Sequence, residues 1–140
     1  MRNSKPILLV EDDNVDVMTV KRALKDLRVT NQLVPTGDGE EAINYLRTES
    51  NTKPCVILLD LNMPKMDGAE FLRILKADEA LRKIPVVMLT TSNSEQDVVQ
   101  SFELGAAGYM VKSVDYNKFM ETMRTIDLYW TLSKLPPSGE

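Results

Sequence analysis

The sequence contains no histidine, and this absence removes many kinds of functional site. Ser-His-Asp and Cys-His nucleophiles, HExxH metal sites and phosphorylation of a histidine within this chain are all excluded. The single cysteine, Cys55, cannot form an internal disulfide, and its place in an apolar run indicates a small, inert core residue. Any chemistry must therefore use carboxylates, hydroxyls, lysine or a metal ion.

Long apolar runs and an excess of basic residues are also missing. No run approaches the roughly 20 residues that span a bilayer, and the N-terminus lacks the hydrophobic segment of a signal peptide. We therefore expect a cytoplasmic protein without a membrane partner. The net charge of −4 argues against nucleic acid as a partner, because binding to phosphates normally requires a basic surface.

Five short apolar segments alternate with five amphipathic segments, within a length suited to one domain. Three apolar segments are nearly continuous in aliphatic residues, which is typical of parallel strands covered on both faces. The predicted strands are 6–10, 32–35, 55–60, 84–90 and 106–112. This alternation predicts an α/β fold with right-handed crossovers and helices on both faces of a doubly wound sheet.

Proline and capping residues refine this prediction. Pro35 has no N–H for a ladder hydrogen bond, so the second strand is predicted at an edge, as in the flavodoxin-like order 2-1-3-4-5. Ser94 and Gly105 are predicted to begin and end the fourth helix. The fifth helix is predicted from about residue 115 to 132, which makes 1–132 the domain and 133–140 a disordered tail.

Polar side chains are found where the predicted strands end. Because the carboxyl ends of parallel strands meet at one sheet edge, these residues should converge. Gathered carboxylates repel one another unless a cation such as Mg²⁺ compensates. A carboxylate nucleophile beside a lysine and a hydroxyl would suit phosphoryl transfer. The residues are Glu11, Asp12 and Asp13 after the first strand, Asp60 after the third, Thr90 and Thr91 at the fourth, and Lys112 at the fifth.

Each of these residues has an ordinary explanation when taken alone. Asp60 could be a turn former, Thr90 a strand residue and Lys112 a solvent-exposed charge. The acidic run could simply cap the first helix. Their joint occurrence at the same ends of the right strands favours a phosphoryl site.

Four motifs carry a resemblance to a known family: ILLVEDD, ILLDLNMPKMDG, PVVMLTTS and GAAGYMVK. Over residues 5 to 132 the sequence resembles the receiver domains of two-component response regulators. The resemblance implies roles for individual residues. These are Asp60 as phosphoacceptor, Glu11 and Asp12 as the acidic pair that binds Mg²⁺ with Asp60, the main-chain carbonyl of Asn62 as a further metal ligand, Thr90 as switch hydroxyl, Lys112 as phosphate-sensing lysine and Tyr109 as switch aromatic, with Asp13 outside the pocket.

The resemblance also implies partners. A histidine kinase would phosphorylate Asp60, and a face made of the fourth helix, fifth strand and fifth helix would then change its affinity for a downstream protein. The segments EDDNVDVM, LTTS and DLYW look most like single-domain regulators partnered with phytochrome-type histidine kinases. Tyr129 and Trp130 on the fifth helix could pair two copies of the chain in a homodimer or could pack in the core.

Some features leave alternatives open. The family usually has a cis proline after the lysine, whereas Ser113 follows here, so this peptide could be cis or trans. Pro64 and Gly68 are expected to shape the loop after Asp60 through their backbone preferences. Asn62 and Ser92 are expected to influence the lifetime of the phosphoryl group.

Three other functions are alternatives to the binding switch. An aspartate-nucleophile phosphatase for small molecules also combines Asp, Thr, Lys and an acidic pair, but its nucleophile typically opens the chain in a DxD motif. A flavodoxin-like cofactor carrier is disfavoured by acidic residues where a flavin phosphate would need donors. A receiver used only as a scaffold is disfavoured because every expected pocket side chain is present.

Overall fold

Five strands and five helices alternate along the chain, as the sequence predicts. The computed structural model of the protein describes residues 5–63 and 65–132, with side chains up to residue 127. The strands are β1 (Ile7–Val10), β2 (Leu33–Thr36), β3 (Val56–Leu59), β4 (Val86–Thr90) and β5 (Gly108–Val111). The helices are α1 (Asn14–Asp26), α2 (Gly39–Arg47), α3 (Gly68–Ala77), α4 (Glu95–Glu103) and α5 (Tyr116–Leu132).

Several predictions fall outside the described residues. They concern Pro64, the tail 133–140 and the side chains of Tyr129 and Trp130. The domain boundary at residue 132 stays a prediction. Among the described helices, none combines the length and the apolar character needed to cross a bilayer.

The strands form one parallel sheet in the order β2-β1-β3-β4-β5. This confirms the predicted flavodoxin-like order. Pro35 lies on the edge strand β2 opposite Leu9 and is exposed, so its missing N–H breaks no ladder hydrogen bond. All residues of β1, β3 and β4 are buried, because helices cover both faces of the central strands.

Two hydrophobic clusters lie on opposite faces of the sheet. Alternate strand residues such as Leu9 and Leu58 pack with α1 and α5 on one face, together with the buried Cys55. Their neighbours Leu8 and Ile57 pack with α2 and α3 on the other. Each fully buried side chain of this kind stabilises the fold by about 1.5–3 kcal/mol, so the central strands are held firmly from both sides.

Helix α4 departs from the pattern of the other helices. Ser94 caps its N-terminus by accepting from the Asp97 N–H, and Gly105 follows its C-terminus with φ of 105°, as predicted. Its apolar residues Val99 and Phe102 are 49% and 47% exposed, although their spacing is that of a core-facing helix. Helix α4 therefore presents much of its apolar surface to solvent.

Candidate functional site

The parallel register of β1 and β3 brings the predicted acidic residues together. Val10 is paired with Leu59, so Glu11 and Asp60 leave the sheet side by side. Both are buried, while Asp12 is exposed. One carboxylate oxygen from each of the three residues lies within 4.8 Å of the others. The structure thus gathers Glu11, Asp12 and Asp60 at the carboxyl edge of the sheet.

This acidic cluster fits a hard divalent cation. Burial raises the pKa of the Glu11 carboxyl to about 7; a hydrogen bond from Lys112 opposes the rise and the charge of Asp60 adds to it. Keeping Glu11 ionised is therefore costly unless a positive charge compensates. Three oxygen donors with room for water on the exposed Asp12 side match the preference of Mg²⁺. The predicted ligand carbonyl of Asn62 remains a prediction, although the Asn62 N–H points to Asp60 Oδ1 at 3.4 Å.

Lys112 reaches the cluster from the end of β5. Its backbone N–H donates to the Thr90 carbonyl at 2.8 Å, which fixes the start of the side chain next to β4. Its Nζ donates to Glu11 Oε1 and to Asp16 Oδ2, the latter at 2.9 Å. Asp60 Oδ2 lies 3.8 Å from Nζ, within ion-pair distance but too far for a hydrogen bond. Lys112 is therefore placed beside Asp60 but is bound to two other carboxylates.

The charge of Lys112 is stable in this position. Burial lowers the pKa of the ammonium group, but the hydrogen bonds to Asp16 and Glu11 outweigh burial and leave the pKa raised. Asp16, which lies in the first turn of α1, was not among the residues predicted from the sequence. The only available signal was its closeness to the acidic run, since an ion pair across 96 positions leaves no pattern in the sequence.

Thr90 and Tyr109 lie on β4 and β5 and are connected through Ser92. Thr90 ends β4 and is fully buried, and its Oγ1 accepts from the Ser92 N–H at 3.4 Å. The half-buried Tyr109 of β5 donates its hydroxyl to the Ser92 carbonyl at 2.8 Å. Ser92 in turn donates its hydroxyl to Asp97 on α4 at 2.5 Å. The loop between β4 and α4 thus connects the buried threonine to the fourth helix.

Glycine at position 68 is required by space. A Cβ atom there would lie 2.6 Å from the Asp60 carbonyl oxygen and 2.9 Å from Leu61 Cα. Both neighbours are backbone atoms, so the contact cannot be relieved by a side-chain rotation. The expectation that Gly68 supplies an unusual backbone conformation is corrected, because Gly105 is the glycine with positive φ among the described residues. Gly68 instead allows α3 to begin directly against the backbone of the predicted nucleophile.

The structure answers two questions about the surroundings of the site, the state of one peptide bond and the position of Asp13. No cis peptide bond occurs among the described residues, so the bond between Lys112 and Ser113 is trans. Asp13 accepts from the N–H groups of Val15 and Asp16 and is the N-cap of α1, outside the acidic cluster.

Comparison with known proteins agrees with the family resemblance that the sequence motifs indicate. Residues 7–124 match the family described as response regulator receiver domain. The chain is 39% identical over 130 residues to response regulator Rcp1 of Synechocystis, covering 90% of this chain and 88% of Rcp1. The crystal structure of the Mn(2+)-bound form of Rcp1 superposes with a TM-score of 0.86, covering 94% of this chain and 99% of that one.

Two further solved structures have names that refer to phytochromes. The phosphorylated cyanobacterial phytochrome response regulator RcpA is 38% identical with a TM-score of 0.88, and the alignment covers 96% of this chain and 99% of RcpA. The bacteriophytochrome response regulator AtBRR is 41% identical with a TM-score of 0.75, with 92% and 96% of the two chains covered. These relatives do not favour the small-molecule phosphatase, and they confirm the predicted resemblance. The chain belongs to the response regulator receiver domains, the divalent-metal-dependent phosphoacceptors of two-component signalling.

Proposed function

We propose that Asp60 is the phosphoacceptor of this receiver domain and that a phytochrome-type histidine kinase is the donor. One observation carries the proposal: Asp60 is a buried carboxylate that lies within 4.8 Å of two further acids and 3.8 Å from Lys112 Nζ, whereas the other buried acid, Glu11, is already hydrogen-bonded to Lys112. In the reaction, an Asp60 carboxylate oxygen attacks the phosphorus of the kinase's phosphohistidine. The P–N bond breaks, its electron pair returns to the imidazole, and the new P–O bond gives an aspartyl phosphate.

Glu11, Asp12 and Asp60 would hold Mg²⁺, with the main-chain carbonyl of Asn62 as a further ligand. When bound, the ion neutralises the acidic cluster and the charge on the phosphoryl oxygens. The exposed Asp12 leaves one side of the cluster open to water and to the donor. The burial of Glu11 and Asp60 fixes their oxygens in place, because packed strands hold the residues immediately before them. This rigidity supplies the in-line positioning on which phosphoryl transfer depends.

Lys112 and Thr90 would bind the transferred group. The ammonium group of Lys112 and the hydroxyl of Thr90 are both donors suited to phosphoryl oxygens. Because the Thr90 hydroxyl accepts from Ser92, and Ser92 accepts from Tyr109, a shift of Thr90 toward Asp60 would disturb the loop that holds α4. Tyr109 is therefore the proposed switch aromatic. Asn62 and Ser92 remain the residues predicted to affect the lifetime of the phosphoryl group.

The output surface is proposed to be α4, β5 and α5. Exposed apolar side chains on this surface, such as Val99, Phe102 and Val111, are suited to a protein contact. The occupant would be a downstream protein or a second copy of the chain in a homodimer. A cytoplasmic location and autocatalysed gain and loss of the phosphoryl group are part of the same proposal.

The proposal is tested with acetyl phosphate and Mg²⁺ followed by intact mass measurement. We expect the wild-type protein to gain one phosphoryl group and Asp60→Asn to gain none. Asp13→Asn is the matched control, since this exposed carboxylate lies near the cluster but caps α1. An adduct that persists in Asp60→Asn would disprove the assignment. Turnover of a generic phosphate ester would instead support a phosphatase.

A further inference from the structure

We infer that Asp16 is a positioning residue that restrains Lys112 in the unphosphorylated protein and thereby opposes binding of a phosphoryl group at Asp60. The inference rests on the proposed role of Asp60. It is drawn from the ion pair between the Lys112 ammonium and Asp16 Oδ2 at 2.9 Å, compared with 3.8 Å to Asp60 Oδ2. Asp16 is not one of the three acids grouped as a possible metal site among the described residues.

The ammonium group has three N–H donors, and the structure uses two of them. One is directed to Glu11 and one to Asp16. A phosphoryl group on Asp60 would require a donor from the same nitrogen, because Lys112 is the cation placed beside Asp60. The third N–H is unused, so the competition concerns the position of the ammonium group, which lies 2.9 Å from Asp16 Oδ2 and 3.8 Å from Asp60 Oδ2.

The backbone of Asp16 cannot follow Lys112 toward Asp60. It lies in the first turn of α1, and the helix is fixed by the buried Val17 and Val20, which pack against the sheet. The Lys112 side chain is 9% exposed, so it has little freedom to find a third position. Movement of Lys112 toward a phosphoryl group must consequently lengthen the Asp16 contact. The strength of this contact then sets part of the cost of phosphorylation.

A purely electrostatic effect of Asp16 must be separated from this restraint. Removal of any negative charge near the site should favour an anion, whether or not Lys112 takes part. The restraint, in contrast, acts only through Lys112. A double-mutant cycle between positions 16 and 112 distinguishes the two because it isolates the coupling between the residues.

The experiment measures the dissociation constant of beryllofluoride, a phosphoryl analogue, in the presence of Mg²⁺ by ¹⁹F NMR. We expect Asp16→Asn to bind about three- to fivefold more tightly than wild type, the size typical of a partly exposed ion pair. In the Lys112→Ala background, Asp16→Asn should tighten binding much less, because only the general electrostatic effect of the lost charge remains. Asp13→Asn removes the same charge from the same helix end without contacting Lys112, and asparagine caps helices as well as aspartate does. This control should show only the general electrostatic effect of a lost charge and bind less tightly than Asp16→Asn.

A second readout needs no metal. In the metal-free protein, the ¹H–¹⁵N signal of the Lys112 ammonium group should be protected from exchange with water, and Asp16→Asn should lose this protection while Asp13→Asn keeps it. Unchanged or weaker beryllofluoride binding in Asp16→Asn, or equal tightening in the Lys112→Ala background, would overturn the inference. Failure of wild type itself to bind beryllofluoride would overturn the proposed function as well.

Discussion

The region around β1 and β3 and the region formed by α4 and β5 are packed very differently. Every residue of β1 and β3 is buried between two layers of helices. In contrast, the residues of β5 are half-buried or exposed, and within α4 only Ser101 is buried. The proposed phosphoacceptor follows the first region, and the proposed output surface belongs to the second. We call the region around β1 and β3 the chemical region, and the region formed by α4 and β5 the output region. The chemical region is tightly packed, whereas the output region is thinly packed and can rearrange at low cost.

Two phenylalanines give the largest test of this difference. Phe71 on α3 is fully buried, whereas Phe102 on α4 is 47% exposed. We expect Phe71→Ala to lower the free energy of unfolding by about 3–5 kcal/mol, because it removes core contacts and leaves a cavity. Phe102→Ala should cost less than about 1 kcal/mol, as is usual for surface positions. Urea denaturation followed by circular dichroism measures both, and equal losses would contradict the contrast.

Gly68 tests how tightly the chemical region is built. Gly68→Ala should lower the free energy of unfolding by about 1–3 kcal/mol, because its Cβ would press on the Asp60 carbonyl oxygen. The same change should slow phosphorylation by acetyl phosphate, since the backbone of Asp60, the proposed nucleophile, must shift. Gly108→Ala on β5 is the control, because its Cβ would meet Val87 side-chain atoms at an ordinary 3.7 Å. Similar losses for both variants would show that the two regions are equally constrained.

The buried Glu11 gives the chemical region a pH dependence. Its pKa rises from 4.5 to about 7 on folding, so between these values the metal-free folded state binds more protons than the unfolded state. Stability without metal should therefore fall as pH rises from about 4.5 to 7, by on the order of 1–3 kcal/mol. Urea denaturation in a chelator measures this loss, and Glu11→Gln should flatten it.

Metal binding should show the opposite trend. Because a cation requires the ionised carboxylate, the affinity for Mg²⁺ should weaken as pH falls below about 7, by up to about tenfold per pH unit. Titration of the metal at several pH values checks this. An affinity for Mg²⁺ that does not change between about pH 5 and 8 would contradict the raised pKa of Glu11.

The smallest predicted effect concerns the connection between the two regions. Tyr109→Phe removes the hydrogen bond from the hydroxyl to the Ser92 carbonyl and should cost about 0.5–1 kcal/mol. Its rate of phosphorylation should stay close to that of wild type, because the hydroxyl is not bonded to the acidic cluster. Binding of the phosphorylated protein to its partner should change instead. A large loss of phosphorylation would place Tyr109 in the chemical region.

The sequence predicts the chemical region better than the output region, for physical reasons. The buried parallel strands β1 and β3 produce continuous apolar runs, and Glu11 and Asp60 mark their ends, so both the parallel sheet and the convergence of these charges can be predicted. The apolar spacing of α4 predicts a helix but not whether a neighbour covers it, and Phe102 is exposed. The role of Asp16 depends on the path of a long lysine side chain from a distant strand.

Backbone details were predicted with mixed success. The position of Gly68 was recognised, but the reason was wrong, because steric closeness between two backbone segments has no sequence signature. The cis or trans state of the bond before Ser113 was undecided, since it depends on how the loop leaves β5. N-caps such as Ser94 were predictable because they depend on residues a few positions apart.

The buried Cys55 allows the opening of β3 to be measured by thiol labelling. Its thiol is 3% exposed, and burial raises the thiol pKa to about 11, so an aqueous reagent such as an aromatic disulfide should not react with it in the closed state. Since the sequence has one cysteine, each labelled molecule must have opened at Cys55, directly before the strand that leads to Asp60. The labelling rate therefore reports the opening of β3, the strand that leads to the proposed nucleophile, without an engineered probe.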